Sequence, residues 1–162
     1  MSDYIPATIS IGGTIKKELL EDLVDCLIIN DGTFEYDKES TKEEMLEQFN
    51  EMDGFGTVDF VGKPGYGMFE MTEDFCKKHN IDFDRHSDCA YDYEAENFYL
   101  RNGKELSFHS LSNEKKDMVL VDDVLQILET GVNKEALVSA AINCLKGTIL
   151  ERPLPLSNIK LA

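Results

Sequence analysis

The chain has 162 residues, 42% of them apolar and 30% charged, and its 32 Asp and Glu against 16 Lys and Arg give a formal net charge of −16. Such a length and composition fit one folded domain with its own core and exclude wholesale disorder. The charge excludes naked nucleic acid and anionic lipid as partners, because polyanion binding draws its affinity from Lys and Arg contacts.

Residues Ile5 to Ile11 alternate and are β-branched, which predicts a first strand with Ile5, Ala7, Ile9 and Ile11 on one side. Gly12-Gly13 ends it, and Thr14 is the candidate N-cap of a helix from Lys16 to Ile29. Leu19, Leu20, Leu23, Val24 and Leu27 form the apolar stripe of that helix, with Glu18, Glu21, Asp22 and Asp25 on its wet face. A turn at Asn30-Asp31-Gly32 leads to a short strand over Thr33–Tyr36.

Ser40 or Thr41 caps a second helix, with Glu43 or Glu44 placed for a capping box and Met45, Leu46, Phe49 and Met52 on the buried side. Its remaining acids, Glu39, Glu47 and Glu51, join the wet surface. Thr57–Val61 reads as a strand, Gly62–Gly67 as a Gly/Pro loop, and Thr72 as the cap of a helix ending near His79. Ile81–Ser87 alternates again. Asn102-Gly103, between Asn97–Arg101 and Glu105–His109, is a strong two-residue hairpin signal.

Farther on, Asp122 or Asp123 opens a helix through Glu129, and Asn133 caps another through Lys146. The fold expected is α+β: a single mixed sheet of about five or six strands with helices, a β-hairpin at Asn97–His109 and two C-terminal helices. Residues 1–147 form the domain and 148–162 an extended tail containing Pro153 and Pro155. The dense apolar positions over Val121–Lys146 either cover the sheet or form a homo-oligomer seam.

Charge is unevenly divided: residues 1–96 hold 24 acids and 8 bases, and residues 97–162 hold 8 of each. A segregated negative field has a direction and selects basic partners. Tyr91, Tyr93, Phe98 and Tyr99 interleave with Asp92, Glu94, Glu96 and Asn97, a combination suited to arginine-rich protein, since Arg pairs with acids and stacks on rings. The expected function is an acidic interaction module that occupies a basic, nucleic-acid-binding surface of a partner protein. Phage and mobile-element inhibitors of restriction or CRISPR nucleases act in this way; the likeness is in charge and size. The expected contact residues are Glu18, Glu21, Asp22, Asp25, Glu39, Glu43, Glu44, Glu47, Glu51, Asp82, Asp84, Asp88, Asp92, Glu94 and Glu96.

The alternative is a divalent-metal site or metal-dependent enzyme. On a strand, Asp82, Asp84, His86 and Asp88 share one face, and three carboxylates with an imidazole suit Mg²⁺ or Mn²⁺. Residues four apart on a strand lie ~13 Å apart, so the site needs help from another element, such as His79 or Asp59. Cys76-x-x-His79 with His86-x-x-Cys89 is a nominal zinc quartet. Gly12-Gly13-Thr14 resembles a strand–loop–helix anion site without its third glycine, and Gly62-Lys63-Pro64-Gly65-Tyr66-Gly67 does not meet the Walker pattern. No Gly-x-Ser-x-Gly elbow occurs, and no organic cofactor is expected. The scattered Cys26, Cys76, Cys89 and Cys144, the Met-Ser-Asp-Tyr opening and apolar runs of at most four or five residues lead to the expectation of a reduced, cytoplasmic protein.

Overall fold

The computed structural model describes residues 4–36, 38–90, 93–110 and 154–162. Seven strands and three α-helices are defined among them: β1 (Ala7–Gly12), β2 (Thr14–Ile15), α1 (Leu20–Ile29), α2 (Lys42–Glu51), β3 (Val58–Gly62), α3 (Glu70–His79), β4 (Asp82–Ser87), β5 (Ala95–Arg101), β6 (Lys104–Ser110) and β7 (Lys160–Leu161). β1, β3, β4, β5 and β6 form a five-stranded sheet in the order β3-β1-β4-β5-β6. Every pairing in that sheet is antiparallel, so it is not the mixed sheet expected; the one parallel pairing joins β2 to β7 in a separate two-stranded ribbon. The α+β class holds. The two C-terminal helices, and with them the Val121–Lys146 seam, lie outside the described residues, as does Asp92.

Alternation along β1 sends Ala7, Ile9 and Ile11 to one face, where all three are buried. The register lines Ile9 up with Phe60 on one side and Arg85 on the other, and Arg85 with Phe98. Against this face pack Leu20, Leu23, Val24 and Leu27 of α1, Met45 and Phe49 of α2 and Cys76 of α3. α1 touches both α2 and α3. Phe60 is the ring hub, 5.2 Å from Phe34 and 5.9 Å from Phe49 between centroids. Ile159 and Leu161 belong to the same core, so the C-terminal ribbon is held by burial as well as by its pairing with β2.

The hairpin forms as expected, with β5 and β6 joined through Asn102 (φ 49°) and Gly103 (φ 75°). Positive φ at both turn positions is the geometry whose twist matches the flanking strands. Thr41 caps α2 in a full capping box with Glu44: Thr41 N–H donates to Glu44 Oε2 at 2.8 Å, and Glu44 N–H to Thr41 Oγ1 at 3.2 Å.

Three local expectations are corrected. Thr14 is not a helix cap; it lies in β2, paired with Lys160, and α1 is entered through a 3-10 turn over Lys17–Leu19. Thr33–Tyr36 is not a strand: Thr33 makes one isolated bridge to Val61, its hydroxyl donates to Glu35 O, and Ser40 Oγ accepts from Phe34 N–H. Such side-chain bonds compete with a ladder. Thr72 sits inside α3, not before it. Asn30 Oδ1 accepts from both its N–H (3.0 Å) and its hydroxyl (3.1 Å), while Glu73 Oε1 accepts the Phe69 N–H at 3.0 Å. A distant Asn and a downstream Glu therefore supply the capping expected of Thr72.

Candidate interaction surface

The helices bury their apolar stripes against the sheet, and the acids between those stripes are left outside. Glu18, Glu21, Asp22 and Asp25 are exposed along α1 and its entry turn; Glu39, Glu43, Glu44, Glu47 and Glu51 are exposed on α2 and the segment leading to it. Lys42, the first residue of α2, joins the two helices: its Nζ donates to Asp25 Oδ1 at 2.6 Å. That hydrogen bond raises the Lys42 pKa, and the fields of Asp25, Glu21 and Asp22 add to it. Three α1 acids thus surround the first residue of α2. Glu18 has Lys16 at 4.0 Å; among the described residues Glu21, Asp22, Glu43, Glu47 and Glu51 have no ion-pair partner. Glu44 is different, because its carboxylate accepts the Thr41 N–H, which pulls its pKa below the usual range.

The acids of the Asp82–Glu96 stretch occupy other positions. Asp82, Asp84 and His86 do share a strand face, the one turned away from the helices, but each answers to a different neighbour. Asp82 Oδ1 accepts the Asn102 N–H at 2.9 Å, Asp84 is ion-paired with Arg101, and His86 Nδ1 lies 2.8 Å from Asn97 Oδ1. Asp88 follows the strand, with Oδ1 3.4 Å from His86 Nε2. Burial pushes the Asp84 carboxyl up against the pull of the Arg101 guanidinium. Glu94 is exposed, and Glu96 is turned inward.

Glu96 belongs to a buried ion cluster centred on Arg85. The Arg85 side chain is 2% exposed; Nε lies 2.9 Å from Glu73 Oε1, and Nη2 lies 2.5 Å from Glu96 Oε2. Nη1 reaches Ser87 Oγ (3.2 Å) and the Gly67 carbonyl (3.3 Å), and the guanidinium stands 5.6 Å from the Phe98 ring centroid. Ser107 Oγ donates to the other Glu96 oxygen. One glycine of the Gly/Pro loop is thereby accounted for. Gly67 (φ 71°) brings its backbone against β4, where a Cβ would stand 2.6 Å from Ser87 Cβ, and its carbonyl serves Arg85.

Sequence reasoning passed over Arg85, Glu73 and Arg101. The signal for Arg85 was present: alternation places it in phase with Ile81 and Phe83, on the core side of β4, and a guanidinium there must find carboxylates. Its partners could not be read, because Glu73 approaches from α3 and Glu96 from β5.

Among the described residues no three His, Cys, Asp or Glu side chains converge as metal ligands. The zinc quartet is corrected on geometry. Cys76 is in the core on the helix side, where burial drives its thiol far above the usual range; His86 faces the other side of the sheet, and His79 packs on Phe75 at 4.5 Å. The Gly12-Gly13 cradle is likewise corrected, since the Gly13 N–H donates to Ser157 O at 3.0 Å and no α-helix follows at once. No helix among the described residues is long and apolar enough to cross a membrane. The chain matches no known family model, and no curated protein or solved structure matches it.

Proposed function

We propose that this protein is an acidic interaction module whose α1–α2 surface occupies a basic, nucleic-acid-binding surface of another protein, as inhibitors from phages and mobile elements do to restriction or CRISPR nucleases. The observation that carries the reading is that two adjacent helices, joined by the Lys42–Asp25 ion pair, leave nearly all their acids exposed and most of them without an ion-pair partner among the described residues. Carboxylates set on rigid helices compete with phosphates for the same Lys and Arg, and their long-range field speeds encounter. Glu21, Asp22, Glu43, Glu47 and Glu51 make the contact, and Glu18, Asp25 and Glu39 border it. In this reading the protein works in the cytoplasm, two C-terminal helices complete the domain, and the Asp84 and Glu96 carboxylates hold the sheet together.

The test is capture at low salt followed by mass spectrometry and competition. A nucleic-acid enzyme should be retained, released by raised salt and displaced by duplex DNA. Glu43→Lys, Glu47→Lys and Glu51→Lys combined should weaken its capture at least tenfold. Glu44 is left intact because its reversal would also break the helix cap. Retention unaffected by the triple reversal or by DNA removes the reading.

A further inference from the structure

A cleft of about 720 Å³ opens between the β2–β7 ribbon, the C-terminal end of α3 and the β5–β6 turn. Its volume is that of a small-molecule site. Its charge is opposite to that of the chain: Lys16, Lys78 and Lys160 line it with His79, and Asp82 is the one carboxylate among its lining residues. That carboxylate already accepts the Asn102 N–H at 2.9 Å.

Among the described residues most cations are already engaged. Among the described residues Lys38, Lys42, Lys77, Arg85 and Arg101 are ion-paired, and Lys16 lies 4.0 Å from Glu18. Four described lysines have no ion pair: Lys17, Lys78, Lys104 and Lys160. Two of those four face this one cleft. They come from α3 and β7, elements far apart in the chain, and the third lysine precedes the entry turn of α1. In a chain of net charge −16, a concavity lined by three lysines and one carboxylate stands out as locally cationic.

We propose that this cleft binds a small phosphate-bearing anion. Ammonium groups at the rim hold the phosphate as point charges. Thr14 and Ser157 line the same cleft and carry hydroxyls able to donate hydrogen bonds, and the remaining space accommodates an organic body. The backbone takes a lesser part than in glycine-rich phosphate loops, since the Gly13 N–H is committed to Ser157 O. This inference stands apart from the acidic helical surface, which involves other residues and ligands of opposite charge.

The experiment titrates the full chain with inorganic pyrophosphate and, separately, with ribose 5-phosphate, at ionic strength held constant with NaCl. Calorimetry and the melting temperature are the readouts. At least one probe should bind saturably and raise the melting temperature by mass action. The 15N–1H resonances of Gly13, Asn102 and Lys160 should shift along the same isotherm. Lys78→Gln with Lys160→Gln should weaken binding at least tenfold while leaving the ligand-free melting temperature within a degree or two, because both side chains are exposed. Lys17→Gln with Lys104→Gln makes the same change in net charge outside the cleft and should alter affinity less than threefold. Failure of both probes to bind saturably overturns the proposal. So does binding that survives in Lys78→Gln/Lys160→Gln, or falls equally in the two double variants.

Discussion

Replacing Arg85 by Met keeps an unbranched side chain in place and deletes the cation at the centre of the buried cluster. Glu73, with its side chain 7% exposed, is then left beside β4 with no guanidinium, whereas Glu96, at 24%, still faces Ser107 and some water. Removing one partner of a buried pair costs roughly 3–5 kcal/mol, a large share of a typical stability of about 5–15 kcal/mol. Proton uptake limits the charge part of that cost. Burial already raises the Glu73 pKa above its ordinary 4.5, with Arg85 as the largest opposing influence, so the substitution raises it further. Neutralising a carboxyl of ordinary pKa costs about 3.4 kcal/mol at pH 7 and about 0.7 kcal/mol at pH 5. The sign follows: a carboxyl whose folded pKa is raised contributes stability below its unfolded pKa and loses it as pH rises through the folded value. The variant should therefore lose roughly 3 kcal/mol or more at pH 7 and clearly less at pH 5. Urea unfolding of both proteins at the two pH values measures this. Adding Glu73→Gln to Arg85→Met should recover part of the loss at pH 7 and little at pH 5. A loss below about 1 kcal/mol, or one equal at both pH values, would show that the cluster is not held by charge as described.

Two further outcomes are expected. Thr41→Ala removes the capping box of α2 and should cost about 0.5–2 kcal/mol in denaturant unfolding; Thr41→Ser should restore most of it. Gly12→Ala would set a Cβ 2.3 Å from Ser157 O, so hydrogen exchange at the Lys160 and Ala162 amides, bonded to Gly13 O and Ile15 O, should accelerate while exchange at Ile9, farther along β1, is unchanged.

Much of the fold was legible because it rests on local signals. Alternation in Ile5–Ile11 and over Ile81–Arg85, the Asn102-Gly103 turn and the Thr41–Glu44 box each express a preference that acts within a few residues, and each appears in the structure. The exposed acids of α1 and α2 were legible for the same reason, as the wet sides of amphipathic helices. Two caps were misread where a distant group replaced a local partner: Lys160 pairs with Thr14, and Asn30 accepts from Thr72. The strand expected at Thr33–Tyr36 failed for the opposite reason, since local side-chain bonds replace the ladder and leave Thr33 a single bridge to Val61.

The sequence by itself determined the α+β class, the periodic elements and the excess of carboxylate on the first three-fifths of the chain. Only the tertiary structure decided how those carboxylates divide. Glu73, Asp84 and Glu96 turn to Arg85 and Arg101, while the acids of α1 and α2 stay exposed, Glu21, Asp22 and Asp25 of α1 beside Lys42. It also gathered Lys16, Lys78 and Lys160 around one cleft. Charge is a property of single residues and can be counted along a chain. Which charges meet depends on strand register and on helix packing, and these bring together residues that no local pattern links.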